Sequence, residues 1–296
     1  MRHLFYRAWI LLLCASLGAI ASVQAQEPVR VMSYNIRYNN PDDGINAWPN
    51  RKDHVAEMIG PRYQVDLAGL QEALKGQIDD LASRLPAYAW IGVGREDGKE
   101  QGEFTPIFYR KDRFELLENG TFWLSESPEI PGSKSWDAAI TRIVTWGKFA
   151  DRKNGGILYH FNTHFDHKGQ QARVESAKLL WQKISTITAE VPTIVTGDFN
   201  TRESSLPYKI LTGKEPVGDA TSDLKDGRYV SASPHEGPTS TSTDWTKQGP
   251  PETKIDYIFV RNGITALKHQ VLTDRFEERY PSDHMPVLAE LRLPAK

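Results

Sequence analysis

The chain has 296 residues, 39% of them apolar and 25% charged, a globular composition that excludes collagenous, coiled-coil and disordered classes. With 36 Lys and Arg against 38 Asp and Glu the formal net charge is −2, so there is no general basic field to hold long nucleic acid by counterion release. The length permits a large core in one or two domains.

In chain order, residues 1–25 come first and read as an export signal. Arg2 and Arg7 precede an almost wholly apolar run from Ala8 to Ala21, and Val23-Gln24-Ala25 places small residues where a signal peptidase needs them. Cleavage after Ala25 is expected, leaving a periplasmic or secreted protein over residues 26–296. The run is shorter than the ~20 residues of a spanning helix, so no membrane span is expected. Leu13 is too bulky before Cys14 for a lipid attachment signal. Cleavage would also remove the sole cysteine, which excludes disulfides, Cys nucleophiles and thiolate zinc from the remainder. Any metal there must be held by oxygen or imidazole.

The remainder shows no internal repeat, low-complexity tract or dividing linker, and is expected to be one domain and a monomer. Val29 to Arg37 has strand character and runs into the turn-rich Asn39-Asn40-Pro41-Asp42-Asp43-Gly44. Apolar residues recur every three to four positions at Val55, Met58 and Ile59, at Ile78, Leu81, Ala82 and Leu85, and at Val174, Ala177, Trp181 and Ile184, which predicts amphipathic helices. Extended runs are predicted over 66–70, 88–93, 104–109, 140–149, 157–163, 192–196, 255–260 and 287–293. The Pro-, Gly-, Ser- and Thr-rich stretch from Ser231 to Pro251 reads as one long loop, a length usually kept for function or mobility. Many strands and fewer helices in mixed order point to an α+β fold with sheet packed on sheet and helices outside.

Polar residues close several of these strands, where a sheet would present them at one rim. They are Asn35, Glu72, His164 with Asp166, Asp198 with Asn200, Asp256, and Asp283 with His284. The i,i+2 spacing of Asp198 and Asn200 on extended backbone points both side chains the same way. Each has an ordinary structural alternative: a solvated loop acid, an Asx turn, a core histidine or an ion-pair partner. Eight tryptophans are present, and Trp48 beside Arg51 and Trp245 in the long loop are either packing residues or stacking platforms for a base or sugar.

Taken together, Tyr34-Asn35-Ile36, Leu70-Gln71-Glu72, Thr163-His164-Phe165, Gly197-Asp198-Phe199-Asn200, Ile255-Asp256-Tyr257 and Ser282-Asp283-His284 resemble the endonuclease/exonuclease/phosphatase superfamily. GDFN and SDH are the most specific of these pieces. The resemblance is to an exported bacterial member of the deoxyribonuclease and deadenylase-like branch, and it implies a four-layer αββα sandwich. It also implies Mg²⁺, with Mn²⁺ able to substitute, held by Glu72 with Asn35 and Asp283 nearby; hard oxygen ligands suit such an ion. By the same resemblance Asp198 orients or deprotonates the attacking water, Asn200 helps to place water and phosphate, and His284 contacts a phosphoryl oxygen with Asp256 fixing its ring. His164 faces the phosphate from the other side, and Arg142 contacts it. Arg37 stands where abasic-site nucleases carry an Asp, and His164 where they use a tyrosine, which argues against that branch.

The expectation is therefore an exported, Mg²⁺-dependent phosphoester hydrolase, a phosphodiesterase acting on a phosphorylated small molecule or short nucleic acid. A secreted nonspecific nuclease is the alternative within the enzyme class. A glycan-binding module on an inactive scaffold is the alternative outside it, disfavoured because every matched catalytic position holds a competent residue.

Overall fold

The computed structural model describes residues 26–294, so the expected export signal, its cleavage site and Cys14 lie outside the described residues. Twelve strands and four α-helices form there. They are β1 (Val29–Asn35), α1 (Lys52–Glu57), β2 (Leu67–Gln71), α2 (Lys75–Arg84), β3 (Tyr88–Ile91), β4 (Ile107–Arg110), β5 (Phe114–Trp123), β6 (Ile143–Asp151) and β7 (Ile157–His164). There follow α3 (Gln170–Thr188), β8 (Thr193–Asp198), α4 (Leu206–Leu211), β9 (Lys225–Asp226), β10 (Asp256–Arg261), β11 (Thr265–Val271) and β12 (Val287–Arg292). The strands make two six-stranded mixed sheets, ordered β11-β12-β1-β2-β4-β3 and β5-β6-β7-β8-β10-β9.

Alternation along the strands sorts the apolar residues into three cores. On β1, Val29 and Val31 join Leu158, Ile194 and Ile258 between the sheets, while Met32 and Tyr34 face outward onto Val55, Ile78 and Leu81 of α1 and α2. On the second sheet Phe161, Val195 and Phe259 face outward onto Ala177, Leu180 and Ile184 of α3, with Tyr208 of α4. Helices therefore cover both outer faces, giving the αββα sandwich. Among the described residues no helix is long and apolar enough to cross a membrane.

Toward one end of the sandwich the layer between the sheets turns polar. Gln71 donates to Asn162 Oδ1 at 2.7 Å, Thr196 Oγ1 donates to the same oxygen at 3.0 Å, and His160 Nε2 lies 2.8 Å from Thr196 Oγ1. Asn162 in turn donates to the carbonyls of Leu70 and Pro106, at 2.7 and 3.1 Å. These bonds satisfy buried polar groups and tie the two sheets together. Gly69 makes the close approach possible, since a Cβ there would collide with Thr196 Oγ1 and Asn162 Oδ1.

β5, β9, β11 and α4 were not among the predicted elements. β5 reads Phe-Glu-Leu-Leu-Glu-Asn-Gly-Thr-Phe-Trp and is a sheet edge with an exposed centre, so its sequence lacks a buried face except at the ends. The stretch from Ser231 to Pro251 contains no strand, and no helix before the 3-10 turn that begins at Pro251, as expected, but it is pinned along its length. Met285 N donates to Thr241 O, Thr243 N to Asp283 O and Tyr280 N to Trp245 O.

Candidate active site

The same strand alternation that builds the core gathers the polar residues. β1 and β2 are parallel, and so are β7 and β8, so each pair ends at a common rim. β10 runs antiparallel to β8 and begins there, with Asp256 opposite Asp198, while His164 pairs with Asp198 on the other side. Asn35, His164, Asp198 and Asp256 all lie on inner faces and are buried.

Asp256 and His284 form the tightest pair, with Oδ2 and Nδ1 2.8 Å apart. Burial alone would lower the imidazole pKa, but the Asp256 charge and hydrogen bond, helped by Asp198 and Asp283, outweigh it and raise the value well above the usual range. His284 is thus an imidazolium whose Nε2 lies 3.8 Å from Asp198 Oδ2. Asp198 accepts from Asn200 N at 2.9 Å and from Asn35 Nδ2 at 3.0 Å. Burial and the nearby Asp256 push its carboxyl up to about 7, a value suited to proton transfer near neutrality.

His164 has the opposite character. Burial, together with the positive charge of Arg142 and His284, holds its pKa well below normal, so it is neutral. Its Nε2 lies 3.1 Å from Asn200 Nδ2 and 3.3 Å from Asp198 Oδ2, and its Nδ1 is buried without a partner. Arg142 stands beside it in the wall of a small cavity shared with Thr105 and with Arg95, which is paired to Glu103 at 2.7 Å. Arg142 is buried and touches His167 Nδ1 at 3.2 Å; its Nε lies 3.8 Å from Asp166 Oδ2, beyond hydrogen-bond reach, and its Nη1 has no hydrogen-bond acceptor among the described residues. Buried, unsatisfied donors of this kind suit an anionic oxygen.

Glu72, Asp283 and Asn35 occupy the adjoining part of the rim. Glu72 Oε1 accepts from Asn35 Nδ2 and Oε2 from Tyr38 N, both at 3.1 Å. Burial and the nearby Glu72 charge raise the pKa of Asp283. Both are hard oxygen donors at one rim, the chemistry that suits a small divalent cation. Asn35 lies against Glu72, as its expected place beside that acid requires. Its Nδ2 faces the two acceptor-only carboxylates of Glu72 and Asp198, and its Oδ1 accepts from Arg37 N at 3.0 Å, so these partners set the amide with its nitrogen toward the acids. It bridges Glu72 to Asp198.

Asp198, Asp256 and His284 also bring possible ligand atoms within 4.8 Å of one another. A charged imidazole is a poor ligand, however, and this one already has both nitrogens turned toward carboxylates. The cluster is better suited to moving and holding protons.

Sequence reasoning missed several supports. Thr241 Oγ1 accepts from Asp256 N at 3.2 Å and so ties the long loop to the acid behind His284. Arg37 pairs with Asp43 and approaches Asp283 to 3.8 Å. Left-handed φ values at Arg37 (55°), Glu72 (61°), Asn200 (46°) and Trp245 (75°) surround the site, and such strain collects at functional centres. No periodicity announces it. Trp48 is 2% exposed and donates Nε1 to Asp80 Oδ2, which makes it a packing residue. Trp245 is half-buried, with Arg51 over its ring at 5.4 Å.

Residues 32–284 match the family model described as the endonuclease/exonuclease/phosphatase family. A crystal structure of the endonuclease/exonuclease/phosphatase from Bacteroides vulgatus is 41% identical with a TM-score of 0.83, covering 91% of this chain and 100% of that one. The mannosyl-6-phosphatase of Bacteroides thetaiotaomicron is 37% identical with a TM-score of 0.83, covering 90% and 100%. The 3′-5′-exoribonuclease subunit Ccr4 of the CCR4-Not complex of Mycosarcoma maydis is 21% identical over 347 residues, covering 92% of this chain and 52% of its own. The chain spans about a third to a half of the length of the first curated relatives it matches.

Proposed function

The chain belongs to the endonuclease/exonuclease/phosphatase family of phosphoester hydrolases, and from that premise we propose that it is an exported, Mg²⁺-dependent enzyme that hydrolyses a small phosphorylated substrate by attack of water. The observation that carries this reading is the pairing at one rim of a raised carboxyl, Asp198, with an imidazolium, His284, beside a buried Arg142 whose Nε and Nη1 make no hydrogen bond.

Phosphoryl transfer asks the protein mainly for position and charge. Asp198, held by Asn35 and by Asn200 N, takes the proton of the attacking water. His284, oriented by Asp256, donates to a phosphoryl oxygen. Arg142 and the neutral His164 approach the phosphoryl group from the opposite wall. A divalent ion held by Glu72 and Asp283 would neutralise charge on the phosphoryl oxygens and stabilise the leaving oxygen.

A sugar phosphate is the favoured substrate class, because the Bacteroides thetaiotaomicron neighbour is a mannosyl-6-phosphatase. Phosphodiester cleavage, expected from the sequence, is the second reading, supported by the exoribonuclease relative. Rates with p-nitrophenyl phosphate and bis(p-nitrophenyl) phosphate, each with Mg²⁺ and with EDTA, separate the two. Mg²⁺-dependent turnover of either, abolished in Glu72→Gln with Tm preserved, is the expected result; no turnover of either, or full activity in EDTA, refutes the proposal. Export rests on the segment 1–25, and the mass of the secreted N-terminus checks it.

A further inference from the structure

Next to Asn200 the protein holds a cavity of 590 Å³, walled by the start of α3 and the loop that follows β8. Gln170 and Arg173 line one side, Thr201, Arg202 and Ser204 the other, and no carboxylate is in the lining. The neighbouring acids among the described residues are already engaged. Glu203 accepts from Lys254 Nζ at 2.6 Å and from Tyr229 OH at 2.7 Å. Asp166 accepts from the amides of Lys168 and Gly169 at 2.9 and 2.7 Å, and Asp137 from those of Gln171 and Ala172 at 3.2 and 2.6 Å. The first amides of α3 are thereby occupied, so the positive character of the cavity comes from its two arginines. Arg202 is exposed, and among the described residues Arg173 makes a single bond, from Nη1 to Asp166 O at 2.9 Å.

Thr201 supplies an independent observation. It is 3% exposed, and among the described residues its hydroxyl has no partner although its carbonyl accepts from Tyr257 OH at 2.8 Å. A buried hydroxyl left unsatisfied costs free energy, which a ligand oxygen would offset. Two guanidinium groups, an amide and hydroxyls without an opposing acid are the recognition chemistry of phosphate. Asn200 lines the cavity and also contacts His164, so a group bound there sits one step from the reacting phosphoryl group.

We propose that this cavity binds a second phosphate of the substrate, set apart from the one hydrolysed; the proposal rests on the hydrolase reading above. That phosphate belongs either to a small bisphosphate or to the next link of a short nucleic acid. kcat/KM is measured for glucose 1,6-bisphosphate against glucose 6-phosphate, and for 5′-phosphorylated dithymidylate against the same dinucleotide without its terminal phosphate. The parent is expected to prefer the more phosphorylated member of one pair, and the pair that shows the preference identifies the source. Arg202→Gln is expected to cut that preference about tenfold, the loss of one charged hydrogen bond, with Arg173→Gln acting likewise and Arg202→Lys recovering part. Equal ratios in parent and Arg202→Gln for both pairs overturn the proposal. Calorimetric titration with both phosphorylated probes in EDTA judges the cavity without turnover. Binding about tenfold weaker in Arg202→Gln supports the second-phosphate site even where hydrolysis fails, whereas absent or unchanged binding of both probes refutes it.

Discussion

Asp256 directs one carboxylate oxygen to His284 and leaves the other, Oδ1, buried and without a partner. That is a poor arrangement for stability and a sensible one for holding a charged ring in a single orientation. Asp256→Asn is therefore expected to reproduce most of the loss in His284→Ala, about 10²–10⁴ in kcat, and the double variant to be little worse than either. A double-mutant cycle in kcat under saturating Mg²⁺ measures this, and full additivity would show that the two do not act as a pair. At this scale the sequence was informative about which residue types assemble, since Asp198, Asp256 and His284 could be read from the ends of short strands. It was silent about orientation. The turn of the Asn35 amide toward Glu72 and Asp198 depends on a partner 163 positions away, and the strain at Glu72 and Trp245 depends on loops packed against them.

Each strand with one clear apolar face was legible, because period-2 alternation follows directly from burial. β1 and β7 show why the same pattern also located the site. Their inner-facing positions are apolar at the start, with Val29, Val31 and Leu158, and polar at the end, with Ser33, Asn35, Asn162 and His164. β5 and β11 were not legible: β5 is an edge with an exposed centre, and β11, the edge of the other sheet, mixes Lys268, His269 and Gln270 among its apolar residues. Gly69 tests the polar ties at the level of the strand pair. Gly69→Ala would drive a methyl into Thr196 Oγ1 and Asn162 Oδ1, so about 2–3 kcal/mol of overpacking destabilisation is expected, with a fall of several degrees in Tm. Thermal unfolding checks it, and an unchanged Tm would mean that the sheets are free to move apart there.

The molecule as a whole encloses a layer that is apolar at one end and hydrogen-bonded at the other, and this gradation places a titrating ring deep between the sheets. His160 is fully buried, bonds only Thr196 through Nε2, and has its Nδ1 unpartnered. Burial pulls its pKa down from 6.5 to about 3. The folded protein therefore binds fewer protons than the unfolded chain between those values. Its contribution to stability is complete above the usual imidazole range and is lost as pH falls through 6.5 toward 3. His160→Gln keeps hydrogen-bonding capacity for Thr196 but removes the titration. The variant is expected to be less stable at pH 7.5, through poorer packing. The gap should then narrow by about 2 kcal/mol by pH 5, because only the parent must keep the proton off a buried ring. Chemical denaturation of both proteins across that range isolates this one group, since the raised carboxyls of Asp198 and Asp66 titrate alike in parent and variant and cancel in the difference. A gap that stays constant with pH would mean that water reaches the layer between the sheets and lets His160 accept its proton in the folded state.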